Sequence, residues 1–71
     1  MKFRILIQPD ADGVFVAECP TLPGCVSQGN SRDEALASIA DAIRGYLASL
    51  VKHGDPIPLP ISEEILDLQP I

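Results

Sequence analysis

Cysteine and basic residues are both scarce in this 71-residue chain, and their small numbers exclude several classes of protein. Two cysteines are too few for a disulfide-stabilised secreted scaffold, and the spacing of Cys19 and Cys25 does not match a C-x-x-C redox or zinc motif. We expect both thiols to be reduced, with Cys25 packed as a small apolar residue. The five Lys and Arg residues stand singly, so we expect no direct binding of DNA or RNA by this chain.

Long hydrophobic runs are missing as well. No apolar segment approaches the ~18 to 20 residues that span a bilayer, and no signal-peptide-like apolar segment follows the N-terminus. We therefore expect a cytoplasmic protein with no membrane association. Residues 1–71 make a single domain, which is too short to bury a large core. Because 46% of its residues are hydrophobic, we predict a homo-oligomer, either a dimer or a tetramer.

The residue types that support catalysis do not form a recognisable set. His53 is the only histidine and stands at a predicted helix C-terminus, where a capping or dipole role is expected. Ser27 and Ser31 lack a base and an oxyanion motif. Asp10 and Asp12 fall in a predicted turn, and the first predicted strand contains no acid, which argues against a two-metal site. We predict no catalytic, metal-binding or cofactor-binding residues, and no enzyme activity.

The first part of the chain predicts a β-hairpin. Lys2–Gln8 alternates between polar and apolar residues, and its apolar face consists of Phe3, Ile5 and Ile7. Asp12 and Gly13 are typical of a type I′ turn, because Gly adopts positive φ freely and Asp tolerates it. Val14–Glu18 is the returning strand.

The hairpin is predicted to have two apolar faces. Phe15 and Ala17 lie on one side of the second strand, and Val14 and Val16 lie on the other. Since a single helix covers only one face, we predict that the second face forms an oligomer interface. Its predicted residues are Leu6, Val14 and Val16.

Two prolines interrupt the chain after the hairpin. Pro20 and Pro23 each fix φ and remove a backbone donor, so a regular ladder does not continue through them. Gly24 is predicted to have positive φ, and it precedes a third short strand, Cys25–Gly29.

A helix with clear start and stop signals follows. Ser31 and Glu34 form a capping box, and the helix is predicted to run from Arg32 to Lys52, with Gly54 as the left-handed C-terminal cap. Its apolar stripe is predicted to face the core and consists of Leu36, Ile39, Ala40, Ile43, Leu47 and Leu50.

The C-terminal part is predicted to return across the domain. Asp55–Pro60 has proline at every second residue and is predicted to be an extended strap. Glu64–Gln69 alternates weakly and is predicted to be a last strand, paired either within its own chain or across an oligomer. The complete order is β-β-β-α-β. It predicts an α+β fold in which one long helix packs on one face of an antiparallel sheet.

The charge balance favours a basic partner. Ten acids against five bases give a net charge of −5, which suits a basic protein, although the same charge also serves solubility alone. The predicted contact residues lie in the rigid turns and on the acidic surface: Asp10, Asp12, Glu18, Leu22 and Pro23. The alternative for Leu22–Gly24 is that this segment only shapes the fold.

Several segments together resemble the HicB-type antitoxin family over nearly the whole chain. They are Asp12–Ala17, Pro20–Cys25, Gln28–Gly29, Asp33–Ala35 and Gly54–Pro58. The resemblance implies a cytoplasmic prokaryotic homo-oligomer with a partial ribonuclease-H-like β-β-β-α-β fold that lacks catalytic activity. It also implies an antitoxin of a type II toxin–antitoxin system, which neutralises a small basic HicA-type toxin that cleaves mRNA.

Full-length members of that family usually carry a C-terminal DNA-binding segment as well. This sequence ends at Ile71 without a segment of that kind, so operator binding is not expected of it. The alternative function is an orphan structural or regulatory domain that self-associates and has no cognate toxin.

Overall fold

The computed structural model describes residues 2–58 and 66–70. Three strands precede one long helix: β1 (Leu6–Pro9), β2 (Phe15–Glu18), β3 (Val26–Gly29) and α1 (Arg32–His53). The strands form an antiparallel sheet in the order β1-β2-β3, and α1 packs against β2 and β3. The predicted α+β fold with one helix on one face of the sheet is confirmed.

The sheet register decides which side chains face the helix. Ala17 lies opposite Ile7 on one side and Ser27 on the other, and its side chain is fully buried. Since successive side chains of a strand point to opposite faces, the neighbours Val16 and Glu18 point away from α1. The core therefore lies between α1 and one face of the sheet.

The first strand is shorter than predicted. It begins at Leu6 rather than Lys2, because its partner β2 ends at Glu18, which lies opposite Leu6. The predicted alternation starts before the strand and continues into it. The apolar side chains of this alternation pack against the core: Phe3 and Ile5 before the strand, and Ile7 within it. Pro9 ends the strand opposite Phe15, at the edge of the sheet, where a missing amide is tolerated.

The hairpin connection has the predicted backbone conformation but is longer than a two-residue turn. Asp12 and Gly13 have φ values of 67° and 76° inside a short 3-10 turn, Ala11–Gly13. The Asp10 amide donates to the Val14 carbonyl at 2.6 Å. This hydrogen bond closes the connection, and Asp12 and Gly13 lie inside it.

Two consecutive turns connect β2 to β3. The Leu22 amide donates to the Cys19 carbonyl, and the Cys25 amide donates to the Leu22 carbonyl, each at 3.0 Å. A third bond, from the Cys19 amide to the Cys25 carbonyl at 3.0 Å, closes the segment at its base. Gly24 has φ of 80°, as predicted, which suits the position after Pro23 in a type II turn. We call Cys19–Cys25 the double turn.

Helix α1 has the predicted caps. The Ser31 hydroxyl accepts the Glu34 amide at 3.1 Å, and the helix ends at His53, one residue beyond the predicted end. Gly54 adopts the left-handed conformation with φ of 72°, and its amide donates to the Val51 carbonyl at 3.2 Å. Both helix termini are therefore fixed by local sequence.

The predicted apolar stripe of α1 is wider than the face that packs against the sheet. The buried residues of the helix are Ala35, Ile39 and Ile43. Leu36, Ala40 and Leu50, which were also predicted to face the core, are only partly buried. A helix turns about 100° per residue, so Leu36 and Ala40 lie to one side of the direction shared by the buried residues, whereas Leu50 shares that direction but lies in the last turn of the helix.

The structure describes only part of the C-terminal segment for which a strap and a strand were predicted. Residues 55–58 of the predicted strap form neither helix nor strand, and its last two residues lie outside the described part. The predicted last strand, Glu64–Gln69, begins outside the described residues, and its remainder is not a strand. Leu66 and Leu68 are each 78% exposed, and among the described residues no strand pairs with this segment.

Candidate partner-binding surface

The face of the sheet opposite α1 carries exposed apolar side chains around one acid. Leu6, Glu18 and Val26 lie side by side across the three strands. Leu6 is 42% exposed and Val26 is 52% exposed. The neighbouring row consists of Gln8, Val16 and Gln28. We call these six residues the outer sheet face.

A groove of about 500 Å³ lies on the β1 side of this face. Its lining includes Leu6, Val16 and Glu18 from the sheet, together with Arg32 from the first turn of α1. The groove therefore combines apolar surface with one acidic and one basic side chain. A protein partner recognises such a surface by burying apolar area and satisfying the charged groups at its margin.

A second groove, of about 270 Å³, lies between the outer sheet face and the double turn. Pro20, Pro23 and Gly24 line it from the turn, and Glu18 and Val26 line it from the strands. Glu18 lines both grooves, so the two form one surface around its carboxylate. Three hydrogen bonds and two prolines hold the double turn in place, which gives this side of the surface a fixed shape.

The predicted contact residues separate into two groups. Glu18 and Pro23 lie together at the second groove, whereas Asp10 and Asp12 lie beyond the opposite end of β2. Six residues of extended chain span up to about 20 Å, so the two groups do not form one compact site. The Asp10 carboxylate accepts the Ala11 amide at 2.8 Å, which is a turn-forming role.

Leu22 is the predicted contact residue that the structure contradicts. Its side chain has no exposed area and belongs to the buried core with Ala17 and Ile39. The two turn hydrogen bonds made by its backbone direct the side chain inward. Its side chain is therefore unable to contact a partner unless the double turn opens, and only its neighbour Pro23 is exposed.

The residues predicted for an oligomer interface lie on or beside the same surface. Leu6 and Val16 belong to the outer sheet face, and Val14 is partly buried just before β2. The predicted partner residue Glu18 thus lies beside two predicted oligomer residues, opposite Leu6 on β1 and two positions along β2 from Val16. One face serves as the candidate for both interactions.

Sequence reasoning missed Val26 and Arg32. The alternation of Val26 and Gln28 within the predicted third strand is the signal that would have assigned Val26 to the outer sheet face. No comparable signal exists for Arg32. It reaches the groove because the short connection after β3 brings the start of α1 beside the sheet.

The two cysteines and the histidine lie where they contribute to the fold: the thiols in the core and the imidazole at the end of α1. Cys19 and Cys25 are free and buried, and burial, together with the neighbouring Cys19, raises the pKa of the Cys25 thiol. His53 donates from Nδ1 to the Ser49 carbonyl at 2.8 Å, which caps the end of α1.

Among the described residues, no group of three His, Cys, Asp or Glu side chains is placed to hold a metal ion. No helix within residues 2–58 and 66–70 has the length and apolarity to cross a membrane.

Comparison with known proteins gives concordant results in sequence and structure. Residues 3–70 match the model of a family described as HicB-like antitoxins of bacterial toxin–antitoxin systems. A UPF0150 protein of Thermoplasma acidophilum is 48% identical over 65 residues, which cover 92% of this chain and 94% of that protein. Antitoxin HicB 1 of Photorhabdus laumondii is 26% identical over 96% of this chain, but the match covers only 45% of that longer protein.

The fold also matches a solved structure. The N-terminal domain of the Burkholderia pseudomallei antitoxin HicB superposes with a TM-score of 0.80 at 28% identity. The superposition covers 89% of this chain and 74% of that domain.

Proposed function

The chain belongs to the family of HicB-like antitoxins of bacterial toxin–antitoxin systems, and we propose that it neutralises a small basic toxin of the HicA type, which cleaves mRNA, by forming a direct complex. The observation that carries this proposal is the outer sheet face, where the Glu18 carboxylate lies between Leu6 and Val26. Apolar area around one charged group is typical of a site that binds another protein.

The charge of the chain supports a basic partner. A net charge of −5 accelerates the encounter with a positively charged protein, and this attraction weakens with added salt. At close range, a Lys or Arg of the partner donates to the Glu18 carboxylate in a charge-assisted hydrogen bond. The exposed carboxylates of Asp10 and Asp12, at the far end of the hairpin, contribute to the long-range attraction.

The proposed inhibition requires no chemical step by this chain. A basic toxin that cleaves RNA must expose positive charge to its substrate, and an acidic protein bound there competes with RNA for the same surface. We assign the chain a binding role on this basis, without catalytic residues.

The outer sheet face suits a basic partner better than a second copy of this chain. In a two-fold contact between two such faces, a second copy would bring only another Glu18 and another Arg32 to the interface, and so no additional positive charge. A basic partner supplies that additional charge against the Glu18 carboxylate. We therefore assign Leu6 and Val16, predicted from sequence as oligomer contacts, to the surface that binds the toxin.

The test is co-expression with the product of the adjacent reading frame, followed by pull-down and a growth assay. We expect a small basic protein to co-purify in a defined ratio and its toxicity to disappear. Glu18→Lys is expected to weaken the complex about thirtyfold, equivalent to about 2 kcal/mol.

The matched control is Asp55→Lys, which makes the same charge change at an exposed position after α1 and is expected to leave affinity nearly unchanged. Equal affinities for the two variants would contradict the proposed role of Glu18. If no basic protein co-purifies with the wild-type chain, the antitoxin proposal fails in favour of an orphan domain that only self-associates. The exposed apolar side chains Val51, Leu66 and Leu68 favour that second function.

A further inference from the structure

The two cysteines of the chain lie at the two ends of the double turn, directly opposite each other. Glu18 and Val26 form the last pair of the β2–β3 ladder, so Cys19 and Cys25 occupy the next position of the same register. The hydrogen bond from the Cys19 amide to the Cys25 carbonyl, at 3.0 Å, continues the ladder through this pair. The two residues are therefore cross-strand neighbours, although five residues separate them in sequence.

Both thiols lie on the same face of the sheet. Cys19 has no exposed area, Cys25 is 4% exposed, and both belong to the buried core with Ala17. Residues directly opposite each other project from the same face of a sheet, so the two sulfur atoms are on the side of α1. Burial raises the pKa of the Cys25 thiol, and Cys19 raises it further, which is the effect of a neighbouring thiol.

The separation of this pair suits a disulfide. Opposite residues that share a ladder hydrogen bond have Cα atoms about 5.5 Å apart. Disulfides join residues whose Cα atoms are roughly 4.4–6.8 Å apart. Rotation of the two side chains therefore brings the sulfur atoms together with little movement of the backbone.

We propose that Cys19 and Cys25 form a reversible disulfide within one chain, which locks the double turn when the chain meets an oxidant. The oxidant is a low-molecular-weight disulfide such as oxidised glutathione. One cysteine thiolate attacks a sulfur atom of the oxidant and releases a first small thiol. The other cysteine then attacks the mixed disulfide and releases the second. The chain loses two protons and two electrons, and the oxidant is reduced to two thiols.

The reduced pair is shielded in the folded chain. The thiolate is the attacking species, and burial in the core disfavours it. An oxidant also cannot reach the Cys19 sulfur while this residue has no exposed area. The reaction therefore requires the double turn to open, which breaks its hydrogen bonds and exposes Leu22. Once the disulfide has formed, openings of this kind no longer occur.

The lock acts on one wall of the candidate surface. Pro20, Pro23 and Gly24 line the second groove, and all three lie within the loop that the disulfide closes. The oxidised chain is therefore expected to keep this wall in the shape described above. The inference concerns the double turn itself, so it does not depend on whether a toxin binds there.

The first test is refolding of the chain in mixtures of reduced and oxidised glutathione. We expect both free thiols to disappear together in mass spectrometry, with no bound glutathione, and a non-reducing gel to show a single chain. Dithiothreitol is expected to restore both thiols. Retention of both thiols in excess oxidised glutathione, a stable glutathione adduct, or a disulfide between two chains as the main product would each overturn the proposal.

The second test measures the stabilisation. From Cys19 to Cys25 the disulfide closes a loop of seven residues, which restricts the unfolded chain. We expect the Tm of the oxidised chain to exceed that of the reduced chain by about 10 °C. The control is Cys19→Ala, which lacks the second thiol and is expected to show no increase under the same oxidation. An equal increase in this control, or no increase in the wild-type chain, would contradict the lock.

The third test asks whether oxidation of the folded chain requires the double turn to open. Gly24→Ala strains the double turn, because Gly24 has φ of 80°, although a Cβ atom there meets nothing within 4 Å. Gly13→Ala is the matched control, since Gly13 has φ of 76° and equal space but lies beyond the other end of β2. We expect Gly24→Ala to raise the oxidation rate about fivefold and Gly13→Ala to leave it unchanged. Equal rates for the two variants would contradict the shielding of the pair by the double turn.

Discussion

Helix α1 lies very close to the sheet at Gly29, and Gly29→Ala tests this contact. Gly29 is the last residue of β3, and only two residues separate it from the start of α1. A Cβ atom at this position would lie 2.5 Å from the Ala35 backbone nitrogen and 2.7 Å from two atoms of Glu34. These distances are far below van der Waals contact, so the first turn of α1 would have to move.

The cost of that movement follows from what the new methyl group meets. Overpacking a core position costs about 1–3 kcal/mol, and the upper end applies here because a backbone nitrogen has no rotamer with which to yield. A loss of about 3 kcal/mol is a large part of the roughly 4–10 kcal/mol that stabilises a chain of this length. At about 4–8 °C per kcal/mol, the expected decrease in Tm is roughly 12–24 °C.

The helix supplies a matched control for this substitution. Gly45 lies at an exposed position within α1, and a Cβ atom there would meet nothing within 4 Å. Gly45→Ala is therefore expected to stabilise the helix by about 1 kcal/mol and raise the Tm by about 4–8 °C. Thermal unfolding followed by circular dichroism, at one fixed protein concentration, measures both variants. Equal Tm values for Gly29→Ala and the wild-type chain would refute the close packing of α1 on β3.

Three other changes test local features. Ser31→Ala removes the acceptor of the Glu34 amide and is expected to cost about 1 kcal/mol in urea unfolding, whereas Ser31→Asp should retain most of the stability. Gly24→Val forces a β-branched side chain into positive φ and is expected to lower stability by about 1–2 kcal/mol, and Gly24→Asn by less, so equal losses would exclude backbone strain as the cause. Burial raises the pKa of the Cys25 thiol in the folded state. The unfolded chain therefore loses this proton first, and stability should fall as the pH rises above the unfolded pKa of about 8.5, an alkaline decrease that is expected to be smaller in Cys25→Ala.

The helix and its ends were predictable because their causes are local. The Ser31 cap, the acidic first turn and the left-handed Gly54 act within a few residues, and the structure reproduces all of them. The positive φ values at Asp12, Gly13 and Gly24 were predictable for the same reason, since they follow from the conformations that these residues tolerate. The order of the predicted elements indicated the α+β arrangement, the family resemblance agreed with it, and the structure confirms it.

The strand limits and the fate of the C-terminal segment were not predictable in this way. A strand exists only where a neighbour pairs with it, so the length of β2 sets the start of β1 at Leu6. The alternation of Glu64–Gln69 satisfied a strand pattern, yet Leu66 and Leu68 are exposed without a paired neighbour among the described residues. Alternation shows which side chains share a face but does not supply a partner.

The candidate surface shows the same division most clearly. The sequence by itself determined the acidic character of the chain, the turns that Pro20, Pro23 and Gly24 form, and both ends of the helix. Only the tertiary structure decided that Glu18 lies between Leu6 and Val26, which are 20 residues apart, and that Leu22 belongs to the core. The physical reason is that composition, capping and turn conformation are properties of neighbouring residues. Register and burial depend instead on which distant segments pack together.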